Sequence, residues 1–230
     1  MGAAPRGAGR AVHRGGASPS RHRGVGPRAG TGADFYGVKV NETRTTIAAA
    51  ARRILEDEGV AAVSMRRIAT ECGVSAMTPY WHFPNRQALL EQVCQEAFDE
   101  VATDWRQRTA HDDPLVELRA AADLLIDFAL HRPRLYDYLF TAPRPAARRY
   151  PDDFTAGDSP TLNVLIEALT SGMRRGVLRD DDPVEVALTL AAQLHGLIAL
   201  HHGGRIGLSD DEFRALCHRN LGRILDGITA

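Results

Sequence analysis

Thr78, Pro79, Tyr80, Trp81 and His82 set hydroxyl, phenol, indole and imidazole groups into one run of five residues, directly after Ala76 and Met77. Phenol and imidazole groups suit phosphate oxygens, while Ala76, Met77 and Thr78 are short or flexible enough to meet base edges and thymine methyls. A buried helix would carry aliphatics on most turns, so this composition points to contact with duplex DNA. Phe83, closing the run, reads as a core residue, and Trp81 stays open between core and contact.

The preceding residues must position that run. Ser64 can cap a helix from Met65 to about Glu71, because its hydroxyl accepts an amide of the first turn that has no other partner. Ile68 and Ala69 face inward, Gly73 supplies the open backbone position of a sharp corner, Val74 fills the angle and Ser75 offers a second cap. The spacing predicts a following helix from about Ala76 to Phe83, whose eight residues at about 1.5 Å each give a rod of about 12 Å, matched to the major groove. Pro79 leaves two arrangements open. With Ser75 as cap, proline removes an amide within the first turn and crowds the Ser75 carbonyl. With Thr78 as cap, Pro79 is the first helical residue, where proline is best tolerated. The expected contact set is Ser64, Arg66, Ser75, Ala76, Met77, Thr78, Tyr80, Trp81, His82 and Arg86.

The segment from Thr45 to Leu89 closely resembles the DNA-binding domain of tetracycline-repressor (TetR) type transcriptional regulators. The resemblance rests on Ile47, Ala50, Ala51, Ile54 and Leu55 before Gly59, then Ser64, Ile68, Ala69, the triplet Gly73, Val74, Ser75, and finally Tyr80, His82, Phe83 and Leu89. It implies that Tyr80 and His82 contact phosphates, and that Arg86 stands where the family usually carries a phosphate-binding lysine. Two departures stand out. Arg86 replaces a point charge with a planar fork, and Pro79 stands where the family usually has leucine.

The overall charge of −1 hides a division. Residues 1–41 carry a net +6, residues 42–88 a net +1 and residues 89–230 a net −8, so an acidic bulk sits behind a neutral-to-basic head and only one orientation approaches DNA without repulsion. Residues 1–40, rich in Arg, Gly, Ala, Ser and Pro, are expected to form a disordered tail, and residues 41–88 and 89–230 the two folded domains. That tail reads either as an arm adding salt-dependent phosphate contacts or as a dispensable leader. Cys72, Cys94 and Cys217 form no Cys-x-x-Cys pair and suit a reduced cytoplasm. Cys72 reads as a small buried hydrophobe whose oxidation could disturb the adjacent turn. No apolar run is expected to span a membrane, since even Val184 to Leu200 contains Glu185, Gln193 and His195.

Residues 84–230 show helical patterning throughout, so the fold class is all-α: a three-helix helix-turn-helix domain followed by a helical ligand-binding and dimerisation domain. Asn85, Asp113-Pro114, Ser159-Pro160, Asp182-Pro183 and Ser209-Asp210-Asp211-Glu212 open long helices, and a short helix is expected over residues 134–140. Residues 141–159 read as a long loop. The helix from Pro183 to His202 is apolar on more than one stripe, and a second subunit best explains the surplus. Leu190, Leu194, Leu197, Ile198, Leu221 and Ile224 are the expected interface. In TetR-like proteins the last two long helices of each subunit form an intermolecular four-helix bundle, and AAQLHGLIAL resembles the WHG-type C-terminal domain of part of the family, with Ala191 where its tryptophan would stand. A pocket for a small-molecule effector is expected among Trp105, Leu125, Phe128, Tyr136, Phe140, Leu165, Leu169, Met173 and His195.

These features together predict a homodimeric, cytoplasmic, ligand-responsive repressor of a palindromic double-stranded operator, with no membrane partner, cofactor or metal. A metal sensor built on His195, His201, His202 and His218 is the alternative, although no i, i+4 pair or cysteine completes a site. Catalysis is not expected: Gly-x-Ser-x-Gly, a phosphate-cradling Gly-rich loop and His-Glu-x-x-His are all missing from the sequence.

Overall fold

The computed structural model describes residues 32–230, with side chains from Asn41 onward, so most of the expected N-terminal tail lies outside the described residues. Among those residues the fold is helical, with no strand beyond a single bridge between Leu178 and Thr229. The first helix, α1 (Gly32–Glu58), buries Ile47, Ala50, Ala51, Ile54 and Leu55, one stripe at the helical period. Gly59, at φ 89°, ends it in a conformation that a side chain would strain. After a 3-10 turn (Val60–Ala62) come α2 (Met65–Glu71) and α3 (Thr78–His82). Ser64 caps α2 by accepting the Arg67 amide at 3.3 Å, and Gly73, at φ 65°, makes the corner.

The next helix, α4 (Arg86–Thr109), is capped by Asn85, whose side chain accepts the Ala88 amide at 2.8 Å. Its first half, through Leu89, Leu90 and Val93, completes the head core with α1 and α2. Its second half, through Val101 and Trp105, enters the core of the body. Each fully buried Ile or Leu here contributes roughly 1.5–3 kcal/mol, so α4 is anchored at both ends and works as a stiff link.

The body comprises α5 (Pro114–His131), α6 (Pro133–Tyr136), α7 (Asp152–Thr155), α8 (Pro160–Arg174), α9 (Pro183–His202) and α10 (Asp210–Ile228). Asp113, Asp182 and Ser209 cap α5, α9 and α10 as their sequence signals indicate, and the Ser209–Glu212 capping box is complete. Arg214 on α10 pairs with Asp123 and Asp127 on α5, and His218 Nε2 lies 2.7 Å from Asp123, which ties those two helices together.

Three expectations change. The short helix expected over residues 134–140 is α6 followed by a π-helical turn (Asp137–Thr141), closed by the Ala142 amide on the Asp137 carbonyl at 2.8 Å. The wider turn lets neighbouring residues serve different cores: Tyr136 packs into the body, while Leu135, Tyr138 and Leu139 pack into the head. The segment expected as plain loop over residues 141–159 contains α7. And α9 is, by length and composition alone, apolar enough to cross a membrane. One face of it, through Val186, Ala187, Leu190, Leu194 and Ile198, is buried in the body core, which accounts for part of that apolarity.

Candidate nucleic-acid interface and inner cavity

The element carrying Tyr80 and Trp81 is shorter than the spacing suggests. Met77 takes the cap position, Thr78 is the first helical residue and Pro79 the second, so α3 has five residues rather than eight. Proline has no amide to donate, and the Ser75 carbonyl accepts the Thr78 amide at 3.0 Å in a separate turn. Ser75 does not cap: its hydroxyl lies 2.9 Å from that of Thr78. Neither arrangement drawn from the sequence is the observed one, and Ser75, Ala76 and Met77 belong to the turn leading into α3.

Exposure separates contact candidates from core. Trp81 is 74% exposed, Met77 58% and Tyr80 47%, so three of the seven exposed large hydrophobic side chains among the described residues fall within five consecutive positions. Isolated exposed hydrophobics are ordinary, but a cluster on one short helix marks a contact surface. Trp81, left open by the sequence, is on the surface, and Phe83 is buried. Ser64, Arg66, Ser75 and Ala76 are exposed, while Thr78 and His82 are half-buried.

Two arginines hold this surface from beneath. Arg44 on α1 lies 4.4 Å over the Phe83 ring, donates to the His82 carbonyl at 2.9 Å and donates to Gln92 Oε1 at 3.1 Å. It thereby satisfies a carbonyl at the negative end of α3 and ties α1, α3 and α4 together. Arg86 donates from Nε to the Val63 carbonyl at 2.7 Å and from Nη2 to that of Val60. Its planar fork thus spans two carbonyls of the 3-10 turn, which a lysine point charge cannot do. The side chain expected on phosphate turns two of its N–H groups onto protein. Arg44 was missed by sequence reasoning because nothing local marks it: its partners lie 38 and 48 residues away. Arg44→Ala is expected to cost about 1–2 kcal/mol of head stability from the lost hydrogen bonds and cation–π contact. A denaturant midpoint unchanged from wild type would count against that clamp. Cys72 is free and half-buried, and burial pushes its thiol up, away from a reactive thiolate.

Within the body a cavity of about 250 Å³ lies between α4, α5, α8, α9 and the segment before α8. Of the nine expected pocket residues, Trp105, Leu125, Phe140, Leu165 and His195 line it. Tyr136 stands behind His195, and Phe128, Leu169 and Met173 pack into the body without lining the cavity. The sequence missed the polar lining, Arg144, Arg148, Ser159 and Thr161; the length of the loop was its only signal. Tyr136 pairs through its hydroxyl with His195 Nδ1.

Burial drives His195 down to about 4 from an ordinary value of 6.5. Because the folded value is the lower one, the unfolded chain takes up a proton between pH 6.5 and 4 that the fold resists. Stability is therefore full above about pH 6.5 and falls as pH drops toward 4, by up to about 3 kcal/mol. Replacing His195 by glutamine should flatten this acid-side decline in thermal melts between pH 7 and 4.5; an identical decline in the variant would remove His195 as its source.

The four C-terminal histidines go to separate partners: His195 to Tyr136, His201 against the Phe213 ring, His202 to Asp137 and His218 to Asp123. Among the described residues no group of three or more His, Cys, Asp or Glu side chains converges as metal ligands would. The metal-sensing alternative loses its geometric basis. The expected interface also changes: Leu190, Leu194, Ile198 and Leu221 are buried in the chain's own core, and only Leu197 and Ile224 of that set are partly exposed. Sequence periodicity does not say which apolar stripe of α9 meets the chain's own core; here it is the stripe of Leu190, Leu194 and Ile198. The outward face of α9 carries Ala192, Gly196, Ala199 and Leu200.

The sequence profile described as bacterial regulatory proteins, tetR family, matches residues 47–93. A second, described as the tetracyclin repressor-like C-terminal domain, matches residues 118–224. An HTH-type transcriptional regulator of Mycobacterium tuberculosis is 26% identical over 136 residues, which is 58% of this chain and 58% of that relative's length. Among solved structures, a protein of unknown function from Rhodococcus sp. RHA1 is 26% identical at a TM-score of 0.68, covering 82% of this chain and 96% of the other. The complex of SmeT with triclosan shares the fold at 21% identity and a TM-score of 0.61, covering 82% and 92%. The chain belongs to the TetR family of transcriptional regulators.

Proposed function

We propose that this chain is a ligand-responsive transcriptional repressor that binds a roughly palindromic operator as a homodimer in the cytoplasm. The observation that carries the reading is the exposed trio Met77, Tyr80 and Trp81 on a short helix braced by Arg44 and Arg86. Tyr80 and His82 take phosphate oxygens, and the turn at Ser75–Thr78 lies against base edges. With α3 only five residues long, fewer side chains reach bases than an eight-residue reader would supply, so backbone contacts carry a large part of the affinity. Two copies related by a twofold axis enter successive major grooves, about 34–36 Å apart.

The subunits meet through the outward faces of α9 and α10, where Gly196 leaves open space over the helix. The cavity supplies the switch. Phe98 and Trp105, both on α4, line it, and the same helix carries Leu89 and Leu90 in the head core. A small molecule that fits the cavity better in one setting of α4 biases the spacing of the two heads, which requires differential affinity and not tight binding alone. The triclosan complex of SmeT, a neighbour of the same fold, supports a small aromatic occupant.

Titration of the pure protein with duplex from its own upstream region tests the reading. Binding is expected to weaken steeply between 50 and 200 mM salt, by about 10³-fold if roughly six phosphates are neutralised. No affinity for any duplex at low salt would end it.

A further inference from the structure

Several arginines pair with carboxylates: Arg52 in the head with Glu56 and Glu100, and Arg214 in the body with Asp123 and Asp127. Arg144 and Arg148 meet only neutral acceptors: Arg144 Nη2 donates to the Leu139 carbonyl at 2.7 Å, and Arg148 Nη2 to Gln95 Oε1 at 3.1 Å. Arg144 Nε is buried with no hydrogen-bond partner among the described residues. Both guanidinium groups lie against the Phe98 ring, at 5.7 and 4.7 Å from its centre. Asp99, Asp153 and Asp158 attract Arg148 at a distance, and Glu91 lines a neighbouring hollow with both arginines, but none of the four lines this cavity or bonds to Arg144 or Arg148. Two charges held together without a carboxylate are costly unless something else neutralises them.

The start of α8 adds a second, independent feature. Ser64, Asn85, Asp113, Asp182 and Ser209 cap α2, α4, α5, α9 and α10 with their side chains, but Ser159 makes no such bond to α8. The first-turn amides of α8 and the positive end of its dipole are left without an internal partner. Ser159 and Thr161, only 8% and 6% exposed, both line the cavity, and neither hydroxyl has a hydrogen-bond partner among the described residues. His195 completes the lining. The Tyr136 phenol, which burial keeps protonated, pairs with Nδ1 of His195; with the phenol donating, the proton of the neutral imidazole sits on Nε2. The cavity is thus lined by donors and hydroxyls on its polar side, by Trp105, Leu125, Phe140 and Leu165 on its apolar side, and, among the described residues, by no Asp or Glu.

We infer that the effector of this cavity is an amphipathic anion, a compact apolar or aromatic body bearing one carboxylate that is received by Arg144, Arg148 and the uncapped start of α8. This deepens the ligand-responsive reading and rests on it. Packed at interior density near 0.75, a cavity of about 250 Å³ admits roughly a dozen non-hydrogen atoms. The carboxylate would supply the charge that the two arginines lack and accept from the orphaned Nε, in a setting where charge-assisted hydrogen bonds are strongest. Because those arginines rest on Phe98 of α4, drawing them onto a ligand alters the packing of the helix that carries the head.

The test uses the full chain and a matched pair of probes, 4-butylbenzoate and 4-butylbenzamide, titrated calorimetrically at pH 7.5. The benzoate is expected to bind at least about tenfold more tightly than the amide, because the two differ in charge and hardly in shape. In Arg144→Gln/Arg148→Gln that preference should fall to within about twofold; Thr161→Val, which leaves charge untouched, should weaken the benzoate more than the amide. An amide that binds as well as the benzoate to the wild-type chain overturns the anion and leaves a neutral-ligand pocket standing. Binding of neither probe, with the fold intact by circular dichroism, overturns the anion and the ligand-responsive reading together.

Discussion

Leu194→Arg is expected to unfold the C-terminal body and not to release folded monomers. Leu194 is 3% exposed and packs with Leu190, Ile198 and Leu221 in the core of the chain itself. An arginine there loses about 2–5 kcal/mol of leucine packing and brings a charge with no partner into an apolar setting. The sum, on the order of 5 kcal/mol or more, rivals the whole stability of an ordinary domain. Loss of the cooperative melt by circular dichroism is the expected readout. A variant that melts like wild type would mean that Leu194 is not held in the core. Gly196→Arg makes the contrasting case: Gly196 sits one position past His195 on the same helix, and a Cβ there meets nothing within 4 Å. It should keep the fold and separate the subunits in ultracentrifugation, and a dimer that persists would move the interface away from this face of α9.

Tyr80→Ala should reduce affinity for operator and for random duplex alike. A hydrogen bond from the phenol to a charged phosphate is worth about 1.5–3 kcal/mol, and a twofold complex loses it twice, so a drop of about 100-fold or more follows. A phosphate carries no base identity, which is why the loss should not depend on sequence. Tyr80 is half-exposed and buries nothing in the head core, so the melting temperature should hold. Loss confined to the operator would assign Tyr80 to base reading. Trp81→Ala separates the two kinds of contact further: an indole 74% exposed contributes apolar area at the surface it meets, and its removal should weaken binding without unfolding the head.

How far the sequence reaches is visible at particular residues. Four long-helix starts carried a local chemical mark that the structure uses, so Asn85, Asp113, Asp182 and Ser209 could be read directly as caps, whereas Ser159 before α8 makes no cap bond. The stripe Ile47, Ala50, Ala51, Ile54 and Leu55 named its own buried face, because a helix in a three-helix head has one core to meet. Pro79 showed the limit of local rules. It signalled an irregular start to α3, but a proline can be accommodated in several ways, and the observed one, with Met77 as cap, depends on how the turn from Ser75 closes. In the body the rules weaken further. The helix α9 has apolar residues on several sides, and its period alone could not say which side its own neighbours would cover.

The sequence by itself determined the helical class, the corner at Gly73, the placement of Tyr80 and Phe83 and the caps of α4, α5, α9 and α10, since each follows from interactions within about four residues along the chain. Only the tertiary structure decided that Trp81 faces outward, that Arg44 and Arg86 brace the contact surface, that Leu194 belongs to the core, and that Arg144 and Arg148 come to the cavity of Ser159 and His195. The partners in those cases come from other elements, as with Arg44 and Gln92, 48 positions apart. Such meetings are set by packing around two cores joined through one helix, and no local pattern encodes them.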